Sequence, residues 1–326
     1  MTAIPFVTLD DPRYGDVVQV SPLVRRLVAN NPSKFTYRGT GTYLVGTDAE
    51  VAVIDPGPLD DTHRDALAAA LRGVRVTAIL VTHCHADHSP LAAWLAAETG
   101  APTVGFGPHP RLDDPDADDP VTADADTDDA DDARVAGGEP VKIEETTDYD
   151  FDPVVRVTTG DVAASGDGWT LRAVHTPGHT SNHLCFALAE ERSLFTGDHI
   201  MGWSTTVIGP PDGDMRAYFE SLQLVRRRND RTFWPTHGSP VTDTRPFLDA
   251  FIAHRLDREA QVLAAVRAGQ TSIPDMVKML YAGVRAELHK PAGRSVLAHL
   301  VKLVDDGSVA TDDGARPTLR AVYRPA

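Results

Sequence analysis

The chain has 326 residues, of which 42% are hydrophobic and 24% charged, a composition typical of a soluble globular protein. No run approaches the roughly 20 consecutive apolar residues of a membrane-spanning helix, so we expect no membrane segment. The first ten residues lack the basic and apolar regions of a secretory signal, and only two cysteines occur. We therefore expect a cytoplasmic protein without a disulfide framework.

The formal net charge of −16 is concentrated in one segment. Residues 111–152 carry 17 acidic side chains against three basic ones, so the rest of the chain is nearly neutral and net charge excludes few substrates. Between Asp113 and Asp132, 11 of 20 residues are Asp, and we expect an acidic insertion there that forms a mobile loop. A calcium loop starting at Asp124 is disfavoured, because it lacks the required glycine and glutamate at its sixth and twelfth positions.

Strand-like and helix-like segments alternate along the first 240 residues. Apolar runs predict strands at 23–28, 40–46, 50–55, 76–82 and 102–105, with helices at 60–71 and 90–99. Further strands are predicted at 154–159, 169–175, 183–188, 193–196 and 232–237, with a helix at 216–228. This alternation indicates an α/β fold in which helices cover the sheets. From residue 245 the pattern changes to helices at 247–268, 273–281 and 294–305 and then a hairpin, the order of a winged helix.

A cluster of metal-binding residue types follows the strand at 76–82. The run His83-Cys-His85-Ala-Asp87-His88 places three imidazoles and a carboxylate within six positions. Imidazole suits zinc or iron, and the carboxylate adds charge that favours a second divalent ion. The alternative, a polar turn that happens to contain three histidines, is disfavoured because histidine is a rare residue.

Three more ligand candidates each follow a predicted strand: His179 in Thr176-Pro-Gly-His179, Asp198 in Thr196-Gly-Asp198, and His237 in Pro235-Thr-His237. Loops at strand ends can bring together ligands that are distant in sequence. Taken singly, each of the three is better explained by a structural role. In this order after the first run, however, they predict one metal site.

These motifs resemble the metallo-β-lactamase superfamily over about residues 15–240. More narrowly, the chain is similar to the lactamase-beta-like protein 2 group, which has a C-terminal winged-helix extension. The narrower likeness rests on 39–46, Ile54-Asp-Pro-Gly-Pro, Thr205-Thr-Val, Pro235-Thr-His-Gly-Ser-Pro and His254-Arg255. Two departures are Gly41, where many relatives have Asn, and the acidic insertion. The resemblance implies an αββα sandwich at 1–244, with the insertion at about 111–152, and a winged-helix-like domain at 245–326.

The same resemblance implies a two-metal site. One ion would be held by His83, His85 and His179 and the other by Asp87, His88 and His237, with Asp198 bridging. Zinc is the first expectation, and iron or manganese are alternatives. Two such ions would lower the pKa of a shared water from 15.7 toward ~7, and the resulting hydroxide would hydrolyse the substrate. Asp87 and Asp198 are thus the expected catalytic carboxylates.

Other residues are expected around the site with less specific signals. Asp55 ends its strand and is a candidate acceptor for a ligand imidazole, His199 adjoins Asp198, and Trp203 and Thr205 are candidates for lining the substrate cleft. Cys84 is expected to pack away from the metals, because alternation along the chain turns it opposite to its neighbours. His175 and His183 are interpreted as strand residues.

The residue pattern predicts metal-dependent hydrolysis and leaves the substrate open. Single-stranded RNA or another phosphodiester is the first expectation, because the narrower group includes an endoribonuclease. Residues 245–326, however, have only 12 Lys and Arg against 9 Asp and Glu. The alternative is a thioesterase that acts on acyl-CoA, an acyl carrier protein or small thiol esters. β-Lactam hydrolysis and a metal-sensing regulator are weaker alternatives, and a homodimer remains open.

Overall fold

The computed structural model describes residues 3–7, 12–117, 146–282 and 289–326. Most of the acidic insertion lies outside these residues, including the frame starting at Asp124 for which a calcium loop was considered and all but residues 113–117 of the expected mobile loop. Among them, no helix combines the length and the apolar character that crossing a bilayer requires.

Seven strands form the first sheet in chain order. The first four pair antiparallel and the last four parallel, with β4 belonging to both sets. Their bounds are β1 Val18–Ser21, β2 Val24–Val28, β3 Gly41–Gly46, β4 Glu50–Ile54, β5 Arg75–Leu80, β6 Thr103–Gly105 and β7 Val155–Arg156.

Five strands form the second sheet. β8 to β11 pair antiparallel, and β12 then joins β11 in parallel after a helical crossover. The strands are β8 Val162–Gly166, β9 Trp169–His175, β10 Leu184–Leu188, β11 Ser193–Gly197 and β12 Thr232–Pro235. The parallel pairings bring the carboxyl ends of β11 and β12 to one edge of this sheet, as they do for β4 and β5 in the first sheet.

Six helices and one hairpin complete the described chain. The helices are α1 Asp61–Ala70, α2 Leu91–Thr99, α3 Met215–Arg226, α4 Thr244–Arg267, α5 Ile273–Leu280 and α6 His289–Asp305, and the hairpin is β13 Val309–Thr311 with β14 Tyr323–Pro325. Side chains of Asp60, Asp214 and Ser272 accept hydrogen bonds from the first turns of α1, α3 and α5, as N-caps do.

Alternation along the strands separates three layers of core. In β10, Phe186 faces the core between the two sheets, whereas Cys185 faces the core beneath α3 and α4. Leu67 of α1 and Leu95 of α2 pack on the outer face of the first sheet. Helices therefore cover both outer faces, which confirms the predicted αββα sandwich.

Helix α4 takes part in two cores. Its first half contributes Phe247 and Phe251 to the core beneath the second sheet. Its second half contributes Val262 and Val266 to a separate core formed with α5, α6 and the hairpin. The predicted domain boundary at residues 244 and 245 coincides with the first turn of this helix.

Two local predictions differ from the structure. The strand predicted at 154–159 is reduced to Val155–Arg156, because Thr158 and Asp161 close a turn: the Asp161 amide donates to the Thr158 carbonyl at 3.1 Å. The last helix begins at His289, not at residue 294. Strand β8 was not anticipated either, since its sequence Val-Ala-Ala-Ser-Gly has little apolar volume to mark it.

Replacing Phe186 tests the core between the sheets. Phe186 is fully buried, so we expect Phe186→Ala to lower the free energy of unfolding by about 3–5 kcal/mol. Urea unfolding followed by circular dichroism measures this loss. Val162→Ala in β8 is the control, because its side chain is 48% exposed and its loss should change stability by less than about 0.5 kcal/mol. Equal midpoints for the two variants would contradict the packing described.

Candidate metal centre

The predicted ligands lie at one end of the sandwich. His83 follows β5, His179 lies in the turn between β9 and β10, Asp198 follows β11, and His237 follows β12. The loop after β2 closes this end, because Thr40 forms an isolated bridge with His237 across the two sheets. Chain segments from both sheets thus converge here.

The seven predicted ligands form one continuous cluster. Three overlapping groups each have their ligand atoms within 4.8 Å of one another: His83, His85 and His179; His83, His88 and Asp198; and Asp87, His88 and His237. Within the first group, Nδ1 of His85 lies 2.9 Å from Nε2 of His83 and 3.2 Å from Nε2 of His179. Nε2 of His237 lies 3.2 Å from Asp87 Oδ2 and 3.4 Å from Asp198 Oδ2.

Hydrogen bonds on the outer side of the cluster orient three of the imidazoles. Nδ1 of His88 donates to Asp55 Oδ2 at 2.9 Å, that of His179 to the Val207 carbonyl at 2.7 Å, and that of His237 to the Gly39 carbonyl at 3.3 Å. Because each ring donates from Nδ1, its Nε2 faces the cluster and can bind a cation when it carries no proton.

Asp55 is the most heavily bonded of these outer groups. Its carboxylate accepts the backbone N–H of Thr82 at 2.8 Å, the Thr82 hydroxyl at 2.8 Å and the Thr236 hydroxyl at 3.1 Å, besides His88. The residue has a φ of +49°, a left-handed conformation that Asp tolerates better than most residues. Its predicted position beside a ligand imidazole agrees with this contact.

The electrostatics of the cluster favour a cation. Burial and nearby imidazoles lower the pKa of His83 and His85 well below the usual range, which keeps both rings neutral. Burial also acts on His237, but Asp198 and Asp87 outweigh it and raise the pKa of His237 to about 10. The two carboxylates therefore draw positive charge to this position, and divalent ions would supply it.

Two buried polar atoms test whether metal ions fit. Nε2 of His88 and Oδ1 of Asp198 are inaccessible to solvent and have no hydrogen-bond partner among the described residues. Buried polar groups are seldom left unpaired. Because both atoms belong to the cluster and both are good ligands for divalent metals, the residues present fit a metal centre.

An open cleft leads to the cluster. His85, Asp87, His179, Asp198 and His237 lie in its wall, and the rest of the wall includes Lys34, Phe35, Met201, Trp203 and Thr205. Trp203 and Thr205 are thus where the sequence led us to expect them. Lys34 and Phe35, on the loop after β2, had no signal in the sequence pattern.

Trp203 is held by contacts with two other segments. Its ring stacks on Tyr37 with centroids 4.8 Å apart and planes at 16°, which joins the loop after β2 to the loop after β11. It also lies close to Gly238, where an added Cβ would be 3.0 Å from Trp203 Cδ1. The indole N–H is buried and has no hydrogen-bond partner in the described part of the chain.

His183 is a residue that the sequence interpretation missed. Interpreted as a strand residue, it instead precedes β10 and accepts the backbone N–H of Asp198 on Nε2 at 3.2 Å, and its ring centroid lies 5.1 Å from that of His83. Threonines that directly precede ligands were also overlooked: Thr82 before His83 and Thr236 before His237 both bind Asp55. The repeated Thr-His pair could have revealed them.

His199 and Cys84 lie outside the cluster. His199 packs edge-to-face on Tyr218 at 5.0 Å, and burial lowers its pKa to about 3, so the ring is neutral. The backbone carbonyl of His199, rather than its ring, supports the site: it accepts hydrogen bonds from the hydroxyls of Tyr218 and Thr206. Cys84 accepts from the Asn182 amide at 3.0 Å and is in none of the three ligand groups.

The profile of the metallo-beta-lactamase superfamily matches residues 37–237, which include all seven clustered side chains. The chain belongs to this superfamily. A second profile, of the beta-lactamase associated winged helix domain, matches residues 272–316, so the predicted winged helix is confirmed.

Curated relatives extend the likeness to most of the chain. Lactamase-like protein notP of Aspergillus sp. (strain MF297-2) is 30% identical over 322 residues, covering 92% of this chain and 86% of that protein. Atrochrysone carboxyl ACP thioesterase of Aspergillus chevalieri is 29% identical over 312 residues, with the same two coverages. Neither RNA hydrolysis nor a homodimer gains support from these relatives.

Solved structures show the same fold. A beta-lactamase domain protein from Burkholderia ambifaria superposes with a TM-score of 0.72 at 23% identity, covering 99% of this chain and 97% of that one. A metallo-beta-lactamase family protein from Thermus thermophilus has a TM-score of 0.69 at 22% identity, covering 94% and 100%. The fold of nearly the whole chain is therefore shared with these two proteins.

Thiol reactivity tests the placement of Cys84. Burial raises the pKa of both Cys84 and Cys185 to about 12, so neither thiol forms the reactive thiolate at pH 8. We expect a thiol reagent such as DTNB to label neither cysteine in the native protein and both after denaturation. The result should be the same after metal removal, since burial and not coordination protects the sulfur. Rapid labelling that begins when a chelator is added would instead make Cys84 a ligand.

Proposed function

We propose that this protein is a binuclear metal-dependent hydrolase whose substrates are acyl thioesters. The observation that carries the proposal is the cluster of seven ligands at the base of a largely apolar cleft, in a chain that matches a thioesterase-named relative over 92% of its length. The thioester alternative thereby replaces RNA, the first expectation from the sequence, as the preferred substrate.

In this proposal His83, His85 and His179 would hold one ion, Asp87, His88 and His237 would hold the other, and Asp198 would contribute its carboxylate to the same centre. Zinc is the first choice, because five imidazoles and two carboxylates suit it, and iron or manganese would also fit. Such ions supply Lewis-acid chemistry and lower the pKa of water, so that it can attack at neutral pH.

The protein's own groups position the reaction. The Thr40 hydroxyl donates to Asp87 Oδ2 at 2.8 Å and fixes that carboxylate, which can then orient the attacking water by accepting its hydrogen bond. Asp55 holds His88 through Nδ1 and so keeps its Nε2 directed inward. The backbone N–H of Asp198 is tied to His183, which limits the freedom of the carboxylate that we place between the ions.

The walls of the cleft favour an acyl group over a polynucleotide. Phe35, Met201 and Trp203 offer apolar and aromatic surface to a substrate. Among the described residues that line the cleft, Lys34 is the single Lys or Arg. Single-stranded RNA is ordinarily bound in a positively charged groove with several stacking rings, which this cleft does not resemble. We assign residues 1–244 to this catalytic unit and 245–326 to the winged-helix-like domain.

The proposal is tested by a substrate panel with purified protein of measured metal content. Acyl-CoA and acyl-carrier-protein thioesters, single-stranded RNA, a phosphodiester reporter and a chromogenic β-lactam would each be offered. We expect thioester turnover that is lost after chelation and restored by zinc, iron or manganese. His83→Ala and Asp198→Ala should each reduce turnover by more than about 100-fold and lower the bound metal.

His254→Ala is a matched control, because this half-buried histidine of α4 belongs neither to the cluster nor to the cleft wall. It should retain turnover and metal content. RNA cleavage that depends on His83, without thioester turnover, would restore the original expectation. Full activity of Asp198→Ala with normal metal content would refute the assigned site.

Trp203 provides a test of the acyl-binding wall. We expect Trp203→Ala to raise KM for thioesters by about 10-fold, equivalent to about 1.4 kcal/mol, because the stack on Tyr37 and the apolar wall are both lost. The kcat value should change less, since Trp203 is not a proposed ligand. Trp203→Phe retains an aromatic face and should stay close to wild type. An unchanged KM in the alanine variant would mean that the acyl group lies elsewhere.

A further inference from the structure

The segment that follows Asp198 supports the metal centre from behind. We name residues 199–207 the support loop. The Val207 carbonyl accepts the Nδ1 hydrogen of His179 at 2.7 Å, and the Thr206 hydroxyl donates to the Asp198 carbonyl at 2.7 Å. Two residues that we propose as ligands are therefore positioned by the last two residues of the support loop.

Helix α4 contacts the support loop through one buried side chain. Arg255 is 3% exposed, and its Nη2 donates a hydrogen bond to the Thr206 carbonyl. Its guanidinium lies 5.3 Å from the centre of the Tyr218 ring, and the Tyr218 hydroxyl donates to the His199 carbonyl at 2.7 Å. Arg255 and Tyr218 thus hold the support loop near both of its ends.

The buried position of Arg255 costs free energy of desolvation. A buried guanidinium loses its hydration, and among the described residues Arg255 has no carboxylate partner within 4.0 Å. Its charge is compensated by a carbonyl dipole and by the faces of Tyr218 and Phe251. An apolar side chain of similar length would avoid this desolvation, so stability alone does not explain an arginine at this position.

We propose that Arg255 is a positioning residue of the metal centre, which acts through the support loop on Asp198 and His179. Building on the proposed function, this inference gives the long helix shared with the C-terminal domain an indirect part in metal binding, through the support loop. Arg255 binds the Thr206 carbonyl. The Thr206 hydroxyl in turn binds the Asp198 carbonyl, and the adjacent Val207 carbonyl binds His179.

Metal affinity, not turnover, is the deciding measurement. Zinc binding by competition with a chromophoric chelator would be compared for wild type, Arg255→Met, Arg255→Lys and Thr206→Val, together with the absorption spectra of the cobalt(II) forms. We expect Arg255→Met to lower zinc affinity by about 10- to 100-fold, the range found when groups that orient ligands are removed. Arg255→Lys can still donate to the Thr206 carbonyl and should be intermediate.

Thr206→Val removes the hydroxyl that holds the Asp198 carbonyl and should reproduce the defect. Because Arg255 and Thr206 act on one path, the double variant should lose less affinity than the sum of the single losses. Arg258→Met is the matched control: Arg258 is a buried arginine of the same helix, but it donates to Gln261 and to the Leu280 carbonyl within the C-terminal part. It should keep the zinc affinity and the cobalt spectrum even if stability falls.

The proposal would be overturned if Arg255→Met bound zinc within two-fold of wild type. It would also be overturned if Arg258→Met lost as much zinc affinity as Arg255→Met, because that would indicate general destabilisation. If Arg255→Met does not fold, wild-type affinity in Thr206→Val would overturn it equally. Failure of the proposed function is distinct from these results, because it would show in the substrate panel as a wild-type protein that binds zinc but hydrolyses no thioester.

Discussion

The buried carboxylate of Asp55 ties together the loops on which the metal centre depends. It is fully inaccessible to solvent, follows β4, and accepts hydrogen bonds from Thr82 after β5, from Thr236 after β12 and from His88. A buried anion without such donors would cost several kcal/mol. Only an arrangement that brings both sheets' loops to this carboxylate satisfies it, and that arrangement also assembles the ligands.

Around this anchor, support and recognition are separate. The carbonyls of Gly39 and Val207, the Thr40 hydroxyl and His183 orient the cluster from outside. Trp203 lines the cleft, and among the described residues its ring stacks on Tyr37 and on none of the clustered imidazoles. The chemistry of the centre can therefore stay the same while the wall varies. This separation explains how one superfamily can host many substrates, and why the substrate must be argued from the cleft instead of from the ligands.

The clustering of the seven candidate ligands was predictable because each stands in a short motif at a strand end, and four of the seven occupy a single run from His83 to His88. The sandwich was predictable from the alternation of apolar segments together with the family resemblance. Contacts between distant segments were not. Arg255 meets Thr206 across 49 residues, and Phe35 reaches the cleft only because its loop folds over the end of the sandwich. Strand β8 was not predicted, because its buried residues Ala163 and Ala164 are small and the strand has no alternation of large apolar and polar side chains.

Helix α4 limits how the two domains can be separated or exchanged between proteins. Its 24 residues form one continuous helix about 36 Å long. One half packs in the core of the sandwich and the other half in the core of the winged helix. The C-terminal module cannot swing on a flexible tether, because any large rotation would have to bend the helix. A chimaera that combines the sandwich of one relative with the winged helix of another would therefore have to join the two chains inside α4, downstream of Arg255. A chain that ended before Thr244 would lack Phe247 and Phe251, which belong to the core of the sandwich.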